Sequence, residues 1–150
     1  MENSTEIINE LNKFLKGTVM GIDTFEQYQE KAESPELKNQ LHHIITIFKS
    51  HEEKMVQLIQ KLEGEPKDSL GLIGELSSMF EKVKDTLVVT DREVLERAIK
   101  AINMGKESGI KVLQTCKDLK ADQYVIDYLT EILNDYTTSE NKLTKMAQKL

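Results

Sequence analysis

The connectivity of this chain is decided by residues 64–90, which read GEPKDSLGLIGELSSMFEKVKDTLVVT. The stretch opens with Gly64-Glu65-Pro66, which favours the end of a helix because glycine suits a C-terminal cap and proline cannot continue the helix. A shorter amphipathic segment follows over about residues 69–87, and its apolar stripe includes Leu72, Leu76, Met79 and Phe80. We predict a short helix here, followed by an extended connector through Val88-Val89.

Four long amphipathic segments surround this stretch, at about residues 4–33, 35–63, 91–119 and 122–149. Each carries apolar residues at three- and four-residue spacing, the period of one helical face, such as Leu11 and Leu15 in the first segment and Leu41, Ile44 and Phe48 in the second. Helix-start signals are Ser4 for the first segment, Ser34-Pro35 for the second and the capping box Thr90-Asp91-Arg92-Glu93 for the third. Four rods of about 40 Å cover one another's apolar faces best as a bundle. We therefore predict an all-α four-helix bundle that forms one domain, residues 1–150.

The length of residues 64–90 separates two ways of connecting this bundle. A simple up-and-down bundle needs only a turn between its second and third long helices, whereas a connection of this length can travel the whole bundle. The third long helix would then run parallel to the second, with one long crossover that contains the short fifth helix. The alternative is a strictly antiparallel array with a peripheral fifth helix.

Composition and charge argue against several classes of function. The formal net charge is −6, and the only arginines are Arg92 and Arg97, so we expect no nucleic-acid partner. The amino terminus is acidic and polar, and the longest apolar run, Ile44–Phe48, is too short to span a bilayer. We therefore expect no membrane partner and a cytoplasmic location. The single cysteine, Cys116, excludes a disulfide framework and occupies an apolar position, which favours an inert buried thiol.

Several short motifs carry a resemblance through their order and spacing. They are Phe25-Glu26-Gln27-Tyr28, Pro35-Glu36-Leu37-Lys38, Leu62-Glu63-Gly64-Glu65-Pro66 with Ser69-Leu70 after it, and Met104-Gly105-Lys106-Glu107. Together they resemble the bacterial ferritin-like family catalogued as domain of unknown function 2383, over nearly the whole chain. The resemblance implies a ferritin-like four-helix bundle with a crossover, and it brings no established reaction.

The histidines test whether the standard di-iron site of ferritin-like bundles is present. That site takes a Glu from each of two helices and a Glu-x-x-His motif from each of the other two. All three histidines, His42, His43 and His51, lie in the second long helix, and none has Glu three residues before it. Lys106 stands where the resemblance suggests an acidic residue, and its ammonium would repel a divalent metal ion. We predict that the standard di-iron site is lost and that no cofactor is bound.

Five polar side chains are nevertheless predicted on or near the inward faces of the helices: Glu26, His51, Lys106, Tyr136 and Glu140. We interpret them as a buried polar network in which Lys106 neutralises Glu26 or Glu140, because buried charges persist when they are paired. The alternative is an iron or manganese site with non-standard ligands, namely Glu26, His51, Glu107 and Glu140.

The predicted bundle leaves three functions open. The first is a non-catalytic protein that acts through protein interaction or self-association, for instance as a homodimer, with Leu72, Leu76, Met79 and Phe80 as the contact surface. The second is a metal-dependent oxidase or metal-storage protein built on the non-standard site. The third is a small-ligand site between the helices, where Gly105 and Gly109 would leave space.

Overall fold

Four long helices make up the computed structural model, which describes residues 2–67 and 90–150. They are α1 (Glu2–Lys31), α2 (Pro35–Lys61), α3 (Asp91–Asp118) and α4 (Gln123–Gln148). No strand occurs in these two ranges, and the predicted all-α class is confirmed. The short helix predicted over about 69–87 lies outside the described residues, and so does the predicted contact surface of Leu72, Leu76, Met79 and Phe80.

The start of α1 differs from the prediction. The helix begins at Glu2, so Ser4 lies inside the first turn and is not its N-cap. The side-chain amide of Asn3 donates a hydrogen bond of 3.1 Å to the backbone carbonyl of Leu119. This bond ties the first turn of α1 to the end of α3.

The predicted caps of α2 and α3 are confirmed. The Ser34 hydroxyl accepts a hydrogen bond of 3.1 Å from the backbone N–H of Leu37. The Thr90 hydroxyl accepts one of 3.2 Å from the backbone N–H of Glu93. Each bond satisfies an N–H that has no partner within its own helix, and so fixes where the helix begins.

Contacts at the helix ends establish the direction of α3. The Asp91 carboxylate accepts hydrogen bonds from the backbone N–H groups of Glu33, at 2.8 Å, and Ser34, at 3.0 Å. α3 therefore begins beside the connection between α1 and α2, while its other end meets the start of α1 through Asn3 and Leu119. α3 thus runs antiparallel to α1 and parallel to α2. This confirms the single long crossover, and the strictly antiparallel alternative is wrong.

Side-chain pairs between α2 and α4 establish the direction of the last helix. His51 pairs with Asp135, and Lys54, one turn further along α2, pairs with Glu131, one turn earlier in α4. α4 is therefore antiparallel to α2. α1 packs against α2 and α3, and α4 packs against the same two helices, so the four helices form a square bundle with α2 and α3 on one diagonal.

α2 and α3 end in the same local structure. In each, the residue after the C-cap adopts a left-handed conformation, Glu63 with φ 65° and Lys120 with φ 58°. The N–H of Gly64 then reaches back to the carbonyl of Ile59 at 2.9 Å, as in a Schellman motif. The left-handed position is thus Glu63 rather than the predicted Gly64. Glycine is required at 64 for a different reason, because a Cβ there would lie 2.7 Å from the Ile8 side chain.

The apolar stripes of the four helices meet in one continuous interior. Its largest fully buried side chains are Leu11, Leu15, Phe25, Leu37, Leu41, Ile44, Met55, Leu58, Ile59, Leu95, Ile102 and Leu129. Burying one such side chain contributes about 1.5–3 kcal/mol, and this packing supplies the stability that isolated helices lack. Within the described ranges, none of the helices combines the length and apolarity that crossing a membrane requires.

Candidate functional site

His51 lies near the middle of the bundle, with 1% of its surface exposed. Its Nε2 is 2.8 Å from Oδ2 of Asp135 on α4. Burial lowers the pKa of His51, while the hydrogen bond to Asp135 acts in the opposite direction. The imidazole is therefore neutral at pH 7 and donates its Nε2 proton to the carboxylate, which leaves a lone pair on Nδ1. Nδ1 is buried, and no described residue offers it a hydrogen bond.

Rings from three helices surround this imidazole. We call Phe14, Phe25, Phe48, His51 and Tyr136 the aromatic cluster. Tyr136 stacks on His51 with centroids 5.7 Å apart and an interplanar angle of 17°. Phe48 lies 5.3 Å from Tyr136 and 5.2 Å from Phe25, and Phe14 lies 6.3 Å from Tyr136. These spacings are typical of favourable aromatic pairs, so rings fill the space between α1, α2 and α4.

Tyr136 stays protonated in this setting. Its side chain is buried, and burial raises the pKa of its hydroxyl to about 12, while a hydrogen bond with the Thr18 side chain acts in the opposite direction. The Thr18 hydroxyl in turn donates to the backbone carbonyl of Phe14 at 3.0 Å. Because the phenol keeps its proton at neutral pH, Tyr136 contributes packing and a hydrogen bond rather than a negative charge.

Two further residues of the predicted polar network form an ion pair. Lys106 Nζ on α3 lies 3.7 Å from Glu140 Oε1 on α4, and the side chains are 29% and 20% exposed. Of the two partners predicted for Lys106, the structure thus brings it to Glu140. A pair that remains this accessible to solvent contributes about 0–1 kcal/mol. The ion pair therefore links α3 to α4 at the edge of the bundle and not in its middle.

The structure does not bring the remaining predicted metal ligands together. Glu26 and Glu107 are both exposed, so the predicted inward position of Glu26 is wrong. Phe25 takes the inward position on this turn of α1, and the next residue points about 100° away from it. Of the four residues named for a non-standard metal site, only His51 is buried, while Glu140 is partly exposed and pairs with Lys106.

The side chains in the middle of the bundle do not fit a di-iron centre. Among residues 2–67 and 90–150, no group of three or more His, Cys, Asp and Glu side chains is placed to hold a metal ion. A di-iron centre needs several carboxylates projecting inward. Here the Nε2 of His51 is already bonded to Asp135, and the neighbouring positions carry phenyl rings and a protonated phenol.

Gly105 and Gly109 serve close packing of α3 on its neighbours. A Cβ at Gly105 would lie 2.6 Å from the Tyr136 ring. A Cβ at Gly109 would lie 2.7 Å from Leu133 and 3.1 Å from Phe14. A side chain at either glycine would therefore meet side chains of α1 or α4, although Gly105 also borders an open cavity between α1 and α3.

Cys116 is buried on α3. Burial raises the pKa of its thiol to about 11, and the nearby Glu10 carboxylate adds to the shift. Since the thiolate is the reactive form of cysteine, this side chain is unreactive at neutral pH and acts as a small apolar residue.

Asp135 and Thr18 are the polar contacts of the aromatic cluster that sequence reasoning missed. Asp135 is separated from His51 by 84 positions, and no local spacing marks such a pair. Phe14 was also missed, although a signal was present. It lies three residues after Leu11 and four before Thr18, which is the spacing of the inward face of α1.

Three solved structures resemble this one over most of the chain. A ferritin-like di-iron-carboxylate protein from Bacillus anthracis matches with a TM-score of 0.76 and 18% identity, covering 98% of this chain and 99% of the other. The Dps protein of Vibrio cholerae, a member of the ferritin-like di-iron-carboxylate superfamily, matches with a TM-score of 0.67 and 16% identity, over 99% and 90% of the two chains.

The third is a two-domain protein from Anabaena variabilis with dj-1/thij/pfpi-like and ferritin-like domains. It matches with a TM-score of 0.77 and 20% identity, over 97% of this chain and 37% of that protein. At these identities the matches establish the fold alone.

Sequence comparison gives the family. None of the curated proteins matches this chain. A model of the family described as domain of unknown function (DUF2383) matches residues 6–115, which is most of the chain and includes most of α1, all of α2 and nearly all of α3. The chain belongs to the DUF2383 family and folds as a ferritin-like four-helix bundle.

Proposed function

We propose that this protein is a non-catalytic ferritin-like bundle that acts through protein interaction or self-association, and that the aromatic cluster stands in place of a di-iron site. One observation carries the proposal. In the middle of the bundle, His51 is bonded to Asp135 and stacked on Tyr136, where a di-iron protein of this fold needs inward carboxylates.

Charge supports the same proposal. The Lys106 ammonium lies 3.7 Å from the predicted α4 ligand Glu140. A divalent ion bound at Glu140 would have to displace this ammonium or tolerate its repulsion. The carboxylates of Glu26 and Glu107 are exposed, so a site that included them would require both side chains to leave water.

The alternative is an iron or manganese oxidase or storage protein that uses Glu26, His51, Glu107 and Glu140. The likeness to the Bacillus anthracis and Vibrio cholerae proteins, both described as di-iron-carboxylate proteins, is the observation in its favour. A common fold does not carry a common chemistry, however, because the ligands and not the backbone hold the metal.

Metal analysis separates the two functions. The protein is purified from cells grown in iron- and manganese-rich medium, and its metal content is measured by mass spectrometry beside the variants Glu140→Gln and Glu53→Gln. Glu53 is an exposed glutamate outside the predicted site and serves as the control. We expect substoichiometric metal that is the same in all three proteins. A stoichiometric metal content that Glu140→Gln removes and Glu53→Gln leaves intact would establish the alternative.

Self-association is tested by sedimentation over a wide range of protein concentration. The contact surface predicted from the sequence is Leu72, Leu76, Met79 and Phe80, and we expect Leu76→Glu to shift the protein towards the monomer. Closed two-fold dimers are the commonest homo-oligomers. A protein that stays monomeric at every concentration would rule out self-association and leave interaction with a different protein as the function. The absence of a nucleic-acid partner and a cytoplasmic location remain predictions.

A further inference from the structure

Gln27 is a buried residue on the side of α1 that faces away from the interior, which we call the outward side of α1. A helix turns about 100° per residue, so Gln27 lies about 160° around α1 from Phe25 and about 140° from Ile22, which both belong to the core. Only 8% of Gln27 is nevertheless exposed. A polar side chain on the outer face of a bundle helix ordinarily lies in water, so this burial requires a cover outside the shared interior.

The hydrogen bonds of Gln27 do not explain its burial. Its Nε2 donates to the Asp23 carboxylate at 3.0 Å, one turn earlier in the same helix. Its Oε1 is buried, and no residue of the ranges 2–67 and 90–150 donates a hydrogen bond to it. Buried polar atoms in folded proteins are ordinarily hydrogen-bonded, so the cover of Gln27 is expected to bring a donor.

Both ends of the stretch 68–89 are attached to α1. Just before it, the backbone N–H of Lys67 donates a hydrogen bond of 2.9 Å to the Asn12 side chain. Just after it, the Asp91 carboxylate accepts one of 2.8 Å from the backbone N–H of Glu33. These two positions on α1 are about 32 Å apart, and a helix of the length of this stretch covers about 33 Å. The stretch can therefore follow α1 from one attachment to the other.

The outward side of α1 is covered in its second half and not in its first. Lys13 and Lys16 are exposed, whereas Asp23 and Lys31 are partly buried and Gln27 is buried. This pattern indicates a cover that begins near the middle of α1 and continues to its end, which is the end that meets the start of α3.

Val83 and Leu87 lie at the right distance from that end. Val83 precedes Asp91 by eight residues, and Gln27 precedes Glu33 by six. At the helical rise per residue, Val83 and Gln27 therefore come within about 3 Å of each other along the axis of α1. Leu87 follows Val83 by four residues and shares its helical face, so the two side chains can exclude water from the same part of α1.

We propose that residues 83–89 of the same chain pack on the outward side of α1, with Val83 and Leu87 over Gln27. Thr86, in the same stretch, carries a hydroxyl donor for the Oε1 of Gln27. The inference goes beyond the proposed function. It concerns only the last part of the stretch, so the contact surface predicted for self-association stays available to a partner.

Disulfide formation in the full chain tests the placement. Gln27→Cys is combined with Val83→Cys, and the matched control combines it with Glu81→Cys, which lies about 160° from Val83 on a helix. Under mild oxidation we expect the first pair to form a disulfide within one chain at least tenfold faster than the control pair. Cys116 is retained in both, because its thiol is buried and unreactive.

Labelling of a single thiol provides a second measurement that does not depend on the geometry of a disulfide. Gln27→Cys should react with a maleimide at least tenfold more slowly than Lys16→Cys, which lies on the same outward side and is exposed. Adding Val83→Asp should remove the protection of Gln27→Cys, because a charged side chain does not stay on an apolar contact. Adding Glu81→Asp should leave the protection unchanged.

Three results would overturn the proposal. One is equal or absent disulfide formation in the two pairs. Another is protection of Gln27→Cys that persists with Val83→Asp, which would assign the cover to a different part of the chain. The third is a disulfide that joins two chains, which would place the stretch on a second copy. That result would support self-association, so a failure of this inference is distinguishable from a failure of the proposed function.

Discussion

At the scale of the residue, the buried side chain of His51 is the polar group that the bundle interior must accommodate. It is the histidine among three that is buried, and its Nδ1 has no hydrogen-bond partner in the described ranges. An unsatisfied buried polar atom destabilises a fold by about 1–3 kcal/mol. The bond of Nε2 to Asp135 and the stacking on Tyr136 offset that loss only while the imidazole is neutral, because a charged imidazole would also carry an N–H on Nδ1 without an acceptor.

We predict that His51 makes the stability of the protein depend on pH. An unfolded histidine has a pKa near 6.5, and burial lowers the pKa of His51 below that value despite the opposing effect of Asp135. The nearby charges of Lys54 and Glu131 act in opposite directions. Below about pH 6.5 the unfolded chain therefore binds a proton that the folded chain does not bind, so the free energy of unfolding falls as the pH falls.

Urea denaturation at pH 7.5 and 5.5 measures this effect. Between these values the unchanged protein should lose about 1 kcal/mol more stability than His51→Gln. His43→Gln replaces an exposed histidine on the same helix and should retain the pH dependence of the unchanged protein. An equal loss in the unchanged protein and in His51→Gln would show that other groups cause it.

At the scale of the element, the glycines determine how closely the helices approach. We predict that Gly105→Ala destabilises the protein by about 1–3 kcal/mol, because its Cβ would lie 2.6 Å from the Tyr136 ring. Gly21→Ala is the matched control, since its Cβ would be in ordinary contact at 3.5 Å, and it should stabilise the protein by about 0.5–1 kcal/mol. Thermal and urea unfolding measure both. Effects of the same sign at the two positions would contradict this account of α3 packing.

Helix ends offer a second prediction at this scale. Lys120 follows α3 with φ 58°, a conformation that is unfavourable for a side chain by about 1–2 kcal/mol. Replacing Lys120 with glycine removes this cost. Part of the resulting gain in stability is lost, however, because glycine has more conformational freedom in the unfolded chain. We predict that Lys120→Gly stabilises the protein by up to about 1 kcal/mol in urea unfolding, whereas Lys111→Gly, inside α3, destabilises it by about 1 kcal/mol. Destabilisation by Lys120→Gly would show that its side chain makes a contact of greater value.

Helical periodicity explains which buried positions the sequence could predict. Spacing of three and four residues identified inward positions such as Leu15, Leu41 and Phe48, because one helical period decides them. It failed at Glu26, which shares the spacing but lies at the edge of the stripe beside Phe25. The pairing of His51 with Asp135 was out of reach, since two residues 84 positions apart meet only through the arrangement of whole helices.

At the scale of the whole molecule, the connectivity was predictable and the filling of the interior was predictable in part. The length of residues 64–90 favoured a crossover over the antiparallel array, and the bonds of Asp91 to Glu33 and Ser34 place the start of α3 accordingly. The absence of Glu-x-x-His motifs predicted the loss of the standard metal site. No single motif predicted that aromatic rings would occupy the position of the metal site, because the aromatic cluster combines residues of three helices.

The central claim is that the aromatic cluster, and not a metal centre, occupies the middle of this ferritin-like bundle. The most direct test is a crystal of the protein soaked in manganese(II), with anomalous diffraction measured at an energy where manganese scatters strongly. We predict no anomalous peak inside the bundle, and a stacked His51 and Tyr136 with Asp135 bonded to Nε2. A peak within about 2.3 Å of the His51 Nδ1, joined by Glu140 or other inward carboxylates, would contradict the account.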